Sequence, residues 1–163
     1  MKISIVIDRL NPKWYALLEI ILLEVIYMEK VLQFLRENLV CCLATCSNDK
    51  PRASAMEYVV VGDNILFATD GDSIKAANLK ANNKISFSAN AMPKFVTIDG
   101  TTATPNEDEI NTYNKILFER HPEFKEMVEK GMMKPFVYFK LVPEVVYYND
   151  YSAGMRPTEV IKL

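Results

Sequence analysis

Two hydroxyl groups and one ammonium group lie close together in the sequence, around a turn that follows a short apolar run. Residues 65–69 (ILFAT) are typical of a core strand, and residues 70–72 break this run before a helix is predicted over residues 73–81. The first turn of a helix has backbone N–H groups without partners, and its dipole favours negative charge. A phosphate group fits such a helix end. The side chains available to it are Thr69, Ser73 and Lys75.

A simpler interpretation of the same residues remains open. Asp72 has the residue type of a helix N-cap, and Lys75 would then point into water as most surface lysines do. Asp70 and Asp72 also place two negative charges beside the predicted phosphate site, which counts against it.

The composition is that of a globular protein with one domain and a sizeable core. The chain has 163 residues, of which 50% are hydrophobic and 25% are charged, and its formal net charge is −2. It has no block of basic residues, so nucleic acid is not an expected partner. A net charge close to zero does little to oppose self-association.

The three cysteines lie in one apolar run and do not form a disulfide framework. Cys42 and Cys46 would share one face of a strand, and Cys41 would lie on the other face. We expect all three to be buried small hydrophobic residues in a reducing compartment, which predicts a cytoplasmic protein.

His121 is the only histidine, so a histidine-rich metal site is excluded and no metal is expected. We expect it to be an exposed loop residue between two helical stretches. Because no nucleophile–base pair is evident, any difficult chemistry would come more easily from a bound cofactor.

Residues 1–27 form a separate unit in the sequence, ahead of a domain over residues 28–163. The stretch from residue 14 to residue 27 is strongly apolar, but Glu19 and Glu24 interrupt it and it is too short to cross a membrane. Two interpretations remain open. The segment is either an amphipathic helix that packs on the domain or an extension upstream of a translation start at Met28.

The remaining pattern predicts a mostly β protein with flanking helices. We expect an antiparallel barrel, because short turns join most of the strands and the regular alternation of a dinucleotide-binding fold is missing. Tyr113, Ile116, Leu117 and Phe118 would form the packed face of one outer helix. The predicted strands cover residues 39–46, 52–61, 65–69, 84–89, 95–103, 136–141, 145–148 and 159–163, and the predicted helices cover residues 28–38, 73–81, 106–120 and 122–130.

From residue 28 onward the chain resembles the FMN-binding split barrel of the pyridoxamine 5'-phosphate oxidase-like superfamily. The resemblance rests on the order and spacing of LVCCLATC, KPRASAMEYVVVGDNILFAT, DGDSIKAANLKANNKISFSA, KFVTIDGTTATP and FVYFKLVPEVVYYND. It implies a split antiparallel β-barrel with flanking helices that binds FMN at a homodimer interface.

The resemblance also implies roles for individual residues. Thr69, Ser73 and Lys75 would hold the FMN phosphate, with Arg52 as a second cation. The residues that would line the isoalloxazine ring are Ala55, Met56, Glu57 and Tyr58, together with Tyr148 of the other subunit. Arg156 would reach an acidic substrate. The chain departs from some relatives at Ile74, where they carry a basic residue before the lysine.

The expected activity is that of a small flavoprotein oxidoreductase, which takes hydride from a reduced nicotinamide and passes electrons to a small aromatic or quinone-like acceptor. The nitroimidazole reductase-like branch is the expected subfamily. The alternative is a non-catalytic protein that binds or stores flavin or haem, and a third alternative is an interaction domain that has lost its ligand. A membrane is not an expected partner.

Overall fold

The structure is a computed structural model that describes residues 11–155 and 157–163. Arg156, which was predicted to contact a substrate, lies outside the described residues, as do residues 1–10. The helices are α1 (Pro12–Glu37), α2 (Ile74–Ala81), α3 (Glu107–Arg120) and α4 (Pro122–Glu129). The strands are β1 (Val40–Ser47), β2 (Lys50–Glu57), β3 (Val59–Val61), β4 (Asn64–Asp70), β5 (Lys84–Ala91), β6 (Lys94–Ala103), β7 (Phe136–Asp150) and β8 (Glu159–Lys162).

The strands form one antiparallel sheet that curls into a split barrel. Seven strands follow the order β2-β1-β5-β6-β7-β4-β3, and β8 pairs with β7. The two outermost strands, β2 and β3, are consecutive in the chain, so the sheet must bend until its ends approach each other. The predicted split antiparallel β-barrel with flanking helices is therefore confirmed.

Two strand boundaries differ from the sequence-based expectation. The predicted strand over residues 52–61 is divided at Tyr58, whose backbone N–H donates to the carbonyl oxygen of Leu39 at 3.2 Å, and β3 then pairs with β4. The two strands predicted over residues 136–148 are one strand of 15 residues. The pairing of β6 with β7 shifts register between Asp99 and Gly100, which lets β7 continue along the bent sheet.

The main hydrophobic core fills the barrel, and a smaller cluster lies under helix α3. Tyr113 and Leu117 are buried against Val59 and Leu66 of the sheet, and Ile116 and Phe118 pack at the border of this cluster. The predicted packed face of this helix is confirmed.

Helix α1 is one continuous element of 26 residues that runs across the boundary predicted at residue 28. It begins after Asn11, whose side chain accepts a hydrogen bond from the Lys13 N–H at 3.0 Å. The second half packs on the barrel through Val31, Phe34 and Leu35, whereas the large apolar side chains of the first half are exposed. Residues 12–27 are therefore helical, but within this half it is Tyr27, at its end, that packs against the barrel core.

The described helices include none that is both long enough and apolar enough to cross a membrane.

The cysteines are distributed over both faces of β1, as expected, but not all are buried. Cys41 is buried, Cys46 is half-buried and Cys42 is exposed. The expectation that Cys42 is buried is wrong, because the outer face of β1 is not covered by any described element of this chain.

We expect Gly100→Ala to destabilise the protein by about 3 kcal/mol or more, because a Cβ atom there would lie 2.2 Å from the backbone oxygen of Val142. Gly131→Ala is the matched control. Its added Cβ meets nothing within 4 Å, so only the positive φ of 65° is penalised, at about 1–2 kcal/mol. Urea unfolding of the two variants measures the difference, and an equal cost would contradict the close approach at the bulge.

Candidate functional site

Hydrogen bonds from two asparagines fix helix α2 on the inner face of β1. The Asn78 amide donates to the Thr45 hydroxyl at 3.1 Å, and the Asn82 amide donates to the Cys46 carbonyl oxygen at 3.1 Å. Ala76 and Leu79 are buried beneath the same helix. These contacts fix the direction of α2, so that its first turn lies at the end of β4.

Ser73, and not Asp72, is the N-cap of helix α2. Its hydroxyl oxygen accepts the backbone N–H of Ala76 at 3.2 Å, which corrects the predicted cap by one residue. The helix therefore begins at Ile74. Among the described residues, the N–H groups of Ile74 and Lys75 have no protein partner and remain available to a ligand.

The three residues predicted to bind phosphate are brought together at this helix end. The Thr69 and Ser73 hydroxyl oxygens are 3.2 Å apart, and the Lys75 ammonium donates to the Thr69 hydroxyl at 3.4 Å. Thr69 lies in β4 and is buried, whereas Lys75 is half-buried. Two hydroxyls, one ammonium group and two free amides thus point to the same small region.

The two aspartates that counted against an anion site are both engaged by other groups. Asp72 forms an ion pair with Lys134 at 2.6 Å, and the ammonium group of Lys134 lowers the pKa of this carboxyl by hydrogen bonding and by its charge. The reciprocal interaction raises the pKa of Lys134. The Asp70 carboxylate accepts the backbone N–H of Asp72 at 2.8 Å. The positive charge of Lys134 therefore offsets part of the negative charge beside the helix end.

Arg52 and Met56 lie on β2, across β1 from helix α2. Arg52 pairs in register with Thr45, and Met56 pairs with Cys41. Burial raises the pKa of the Cys41 thiol to about 12, with the neighbouring Cys42 adding to the rise, and the nearby Lys75 charge acts in the opposite direction. Arg52 is exposed and makes no ion pair within the described residues.

The remaining residues predicted to line the ring are placed in different environments. Ala55 is exposed on the outer face of β2, whereas Tyr58 is fully buried with its ring edge against Phe87 at 4.9 Å. Burial raises the pKa of Tyr58, and its hydroxyl has no hydrogen-bond partner among the described residues. Tyr148 is buried, packs edge-on against Tyr27 at 6.0 Å, and borders a cavity of about 350 Å³.

Glu57 belongs to a charged cluster that the sequence did not predict. One carboxylate oxygen lies 3.3 Å from the Arg120 guanidinium, and the other lies 2.7 Å from Nε2 of His121. Arg120 also donates to the carbonyl oxygen of Tyr58 at 3.2 Å, and His121 Nδ1 lies 3.4 Å from Glu123. The cluster therefore joins the end of β2 to the junction between α3 and α4.

His121 lies in the loop between α3 and α4, as expected, but the expectation that it is exposed is wrong. Its side chain is about one-third exposed, and both ring nitrogens face carboxylates. Local sequence gave no signal for this arrangement because Glu57 lies 64 residues earlier in the chain. The polar residues ahead of Pro122 were consistent with a helix junction but could not identify the partner.

The fold and the donor cluster define a split barrel of the pyridoxamine 5'-phosphate oxidase-like superfamily. The sequence model of the family described as pyridoxamine 5'-phosphate oxidase matches residues 27–150. The chain therefore belongs to this family. No curated protein sequence gives a significant match.

Several solved structures are similar in fold. A NimC/NimA family protein from Clostridium acetobutylicum is 20% identical with a TM-score of 0.63, and the match covers 83% of this chain and 92% of that one. A haem binding protein from Mycobacterium smegmatis is 19% identical with a TM-score of 0.61, and the match covers 77% of this chain but only 53% of that longer protein. The haem storage protein HutZ from Vibrio cholerae is 20% identical with a TM-score of 0.57, over 71% of this chain and 89% of that one. At these identities the similarity concerns the fold alone.

We expect Glu57→Gln to reduce the free energy of unfolding by about 1–2 kcal/mol, because it weakens two charge-assisted contacts of a side chain that is only 23% exposed. Glu123→Gln is the matched control, since its side chain is 62% exposed and should change stability by no more than about 0.5 kcal/mol. Urea unfolding measures both variants. Equal effects would show that the cluster does not fasten β2 to the helix junction.

Proposed function

We propose that the protein binds FMN, with the phosphate at the start of helix α2. The observation that carries this proposal is the Thr69 hydroxyl, which lies 3.2 Å from the Ser73 hydroxyl and 3.4 Å from the Lys75 ammonium group, beside free helix amides. Hydroxyls, an ammonium group and amides are all donors, and a phosphate dianion is an acceptor at each of its oxygens.

The residues present fit a phosphate better than a neutral group. Asp72 is paired with Lys134, so the ammonium group of Lys75 is not committed to that carboxylate and stays available to an anion. Arg52 lies on the neighbouring strand, exposed, and supplies a second cation when its long side chain swings toward the helix end. Ile74 would contribute its backbone N–H to the phosphate, whereas some relatives have a basic side chain at this position.

The isoalloxazine ring would lie along β2. This strand is at the end of the sheet order and pairs only with β1, so alternate N–H and C=O groups of residues 55–57 face away from any strand partner. They can hydrogen-bond to the polar edge of the ring. Arg120 and His121 both contact the Glu57 carboxylate. These contacts place a positive guanidinium group beside the Glu57 charge, and they hold the end of β2 in place.

A homodimer completes this site in our proposal. The outer face of β1 and β2 is uncovered, with Val40 62% exposed and Ala55 exposed. A second copy packed on this face would exclude water from the ring, and Tyr148 of that copy is the aromatic residue proposed to contact it. The three free cysteines are consistent with a reducing cytoplasm as the place of action.

The proposed activity is electron transfer from a reduced nicotinamide to a small aromatic or quinone-like acceptor, as in the nitroimidazole reductase-like branch. When bound, FMN would supply the hydride-accepting redox chemistry of this activity. The chain's own residues bind the phosphate, hold the ring edge with backbone groups and keep water away from one ring face.

Haem binding or non-catalytic flavin storage is the second candidate, because two proteins of similar fold are haem binding or haem storage proteins. The donor set of this chain favours flavin. Its one histidine has both ring nitrogens directed at Glu57 and Glu123, so axial ligation by His121 would require these contacts to break.

We expect Lys75→Met to weaken FMN binding about 10- to 100-fold, because it removes the cation nearest the two hydroxyls. Riboflavin, which lacks the phosphate, should bind both proteins equally, so the preference for FMN over riboflavin shrinks in the variant. Lys80→Met, in the last turn of the same helix, is the matched control and should leave both affinities unchanged. Flavin fluorescence titration gives the constants, and an unchanged FMN preference in Lys75→Met would refute the phosphate site.

The purified protein should show the two-banded visible spectrum of flavin and oxidise a reduced nicotinamide faster than free FMN when a nitroaromatic acceptor is added. A Soret band would assign the site to haem. A flavin spectrum without turnover above the free-FMN control would leave the protein as a flavin carrier and refute the oxidoreductase.

A further inference from the structure

The first half of helix α1 exposes more apolar surface than an isolated chain normally tolerates. Nine large side chains between residues 14 and 26 are each 45–60% exposed: Trp14, Leu17, Leu18, Ile20, Ile21, Leu22, Leu23, Val25 and Ile26. Together they expose more apolar surface than the largest patch on a typical monomer, which is about 300–600 Å².

The charges on this segment argue against a lipid surface as the occupant. Between residues 14 and 26 the only charged side chains are Glu19 and Glu24, and there is no lysine or arginine. A helix that lies on a membrane has a polar face rich in lysine and arginine, which anionic lipids attract. Apolar side chains all round are typical of a helix that is buried in protein or spans a membrane, and no described helix is long and apolar enough to span one.

One face of the helix is complementary to itself. Lys13, Leu17, Ile20 and Glu24 follow each other at intervals of four, three and four residues and therefore lie in one row. When two copies of this row are aligned antiparallel, Lys13 lies opposite Glu24 and Leu17 lies opposite Ile20, and the two-fold axis repeats both pairs. Within the described residues, neither Lys13 nor Glu24 has an ion-pair partner in its own chain.

The same face borders an apolar groove that can receive a second helix. Ile20, Leu23 and Tyr27 form one side of it, and Val160 and Ile161 of β8 form the other. The groove has a volume of about 470 Å³, and Glu24 and Lys162 lie at its rim. Apolar side chains from a partner helix would be covered on both sides there.

We propose that the first half of α1 is a self-association surface, in which two copies pair antiparallel through the row Lys13–Leu17–Ile20–Glu24. This surface is separate from the outer face of β1 and β2 that the proposed FMN homodimer uses, and it lies almost wholly ahead of residues 27–150, which the family model covers. If both interfaces form, the protein is a dimer of dimers.

Charge exchange in the full-length chain tests this register by sedimentation equilibrium. Glu24→Lys and Lys13→Glu should each weaken the association about tenfold, since each places two like-charged pairs across the axis. The double variant Lys13→Glu/Glu24→Lys should return to within about threefold of the original constant. Glu19→Lys makes the same charge change on another side of the helix and should have no such effect. A double variant as weak as the single variants overturns the register.

Ile20→Glu tests the interface itself, because it places a carboxylate at the centre of the row. The expected result is loss of the helix-mediated assembly, a tetramer becoming a dimer or a dimer becoming a monomer. FMN affinity should not change, so a failure of the proposed flavin site and a failure of this interface are distinguishable. An unchanged mass overturns the proposal. A second result would also overturn the proposal: the original protein co-sediments with phosphatidylglycerol vesicles, and Ile20→Glu abolishes this co-sedimentation without changing the mass of the protein assembly.

Discussion

Two side-chain amides that join helix α2 to strand β1 determine where the candidate site can form. Asn78 and Asn82 hold the helix across the inner face of the strand, and the buried Leu79 prevents it from sliding. These contacts fix the direction of helix α2, so the unpaired backbone N–H groups of its first turn lie beside the last residues of β4. Because Thr69 lies one residue before the end of that strand and Ser73 caps the helix, the two hydroxyls meet without any long loop. Lys75 joins these two hydroxyls in the same region.

The electrostatics of the site depend on pairings between distant parts of the chain. Lys134 offsets the charge of Asp72, and Arg120 together with His121 surrounds the carboxylate of Glu57. In both cases an acidic residue beside the proposed cofactor is paired with a base on an outer segment. Lys75 is left as the cation at the helix end that an anion can recruit. The segments outside the barrel, both helices and loops, thus have an electrostatic role as well as covering the sheet.

A shared fold does not fix the ligand in this family of structures. Proteins of similar fold include haem binding and haem storage proteins as well as a NimC/NimA family protein. What distinguishes one ligand from another is the donor set at the site, because haem needs an axial ligand and a flavin phosphate needs hydrogen-bond donors and positive charge. This chain offers hydroxyls, amides and an ammonium group at one point, and its single histidine is engaged elsewhere. The exposed half of α1 lies ahead of residues 27–150, which the family model covers.

The sequence alone determined the features that depend on near neighbours. Strand and helix periodicity, the packed face of helix α3 and the gathering of Thr69, Ser73 and Lys75 all follow from residues a few positions apart, and the structure reproduces them. The tertiary structure alone decided the pairing of Glu57 with His121, the pairing of Asp72 with Lys134 and the exposure of Cys42. These depend on how the sheet bends and on which of its faces other elements cover. Contacts between residues more than 60 positions apart leave no periodic trace in the chain, which is why the local pattern predicted the turn between β4 and α2 but not the charges that surround it.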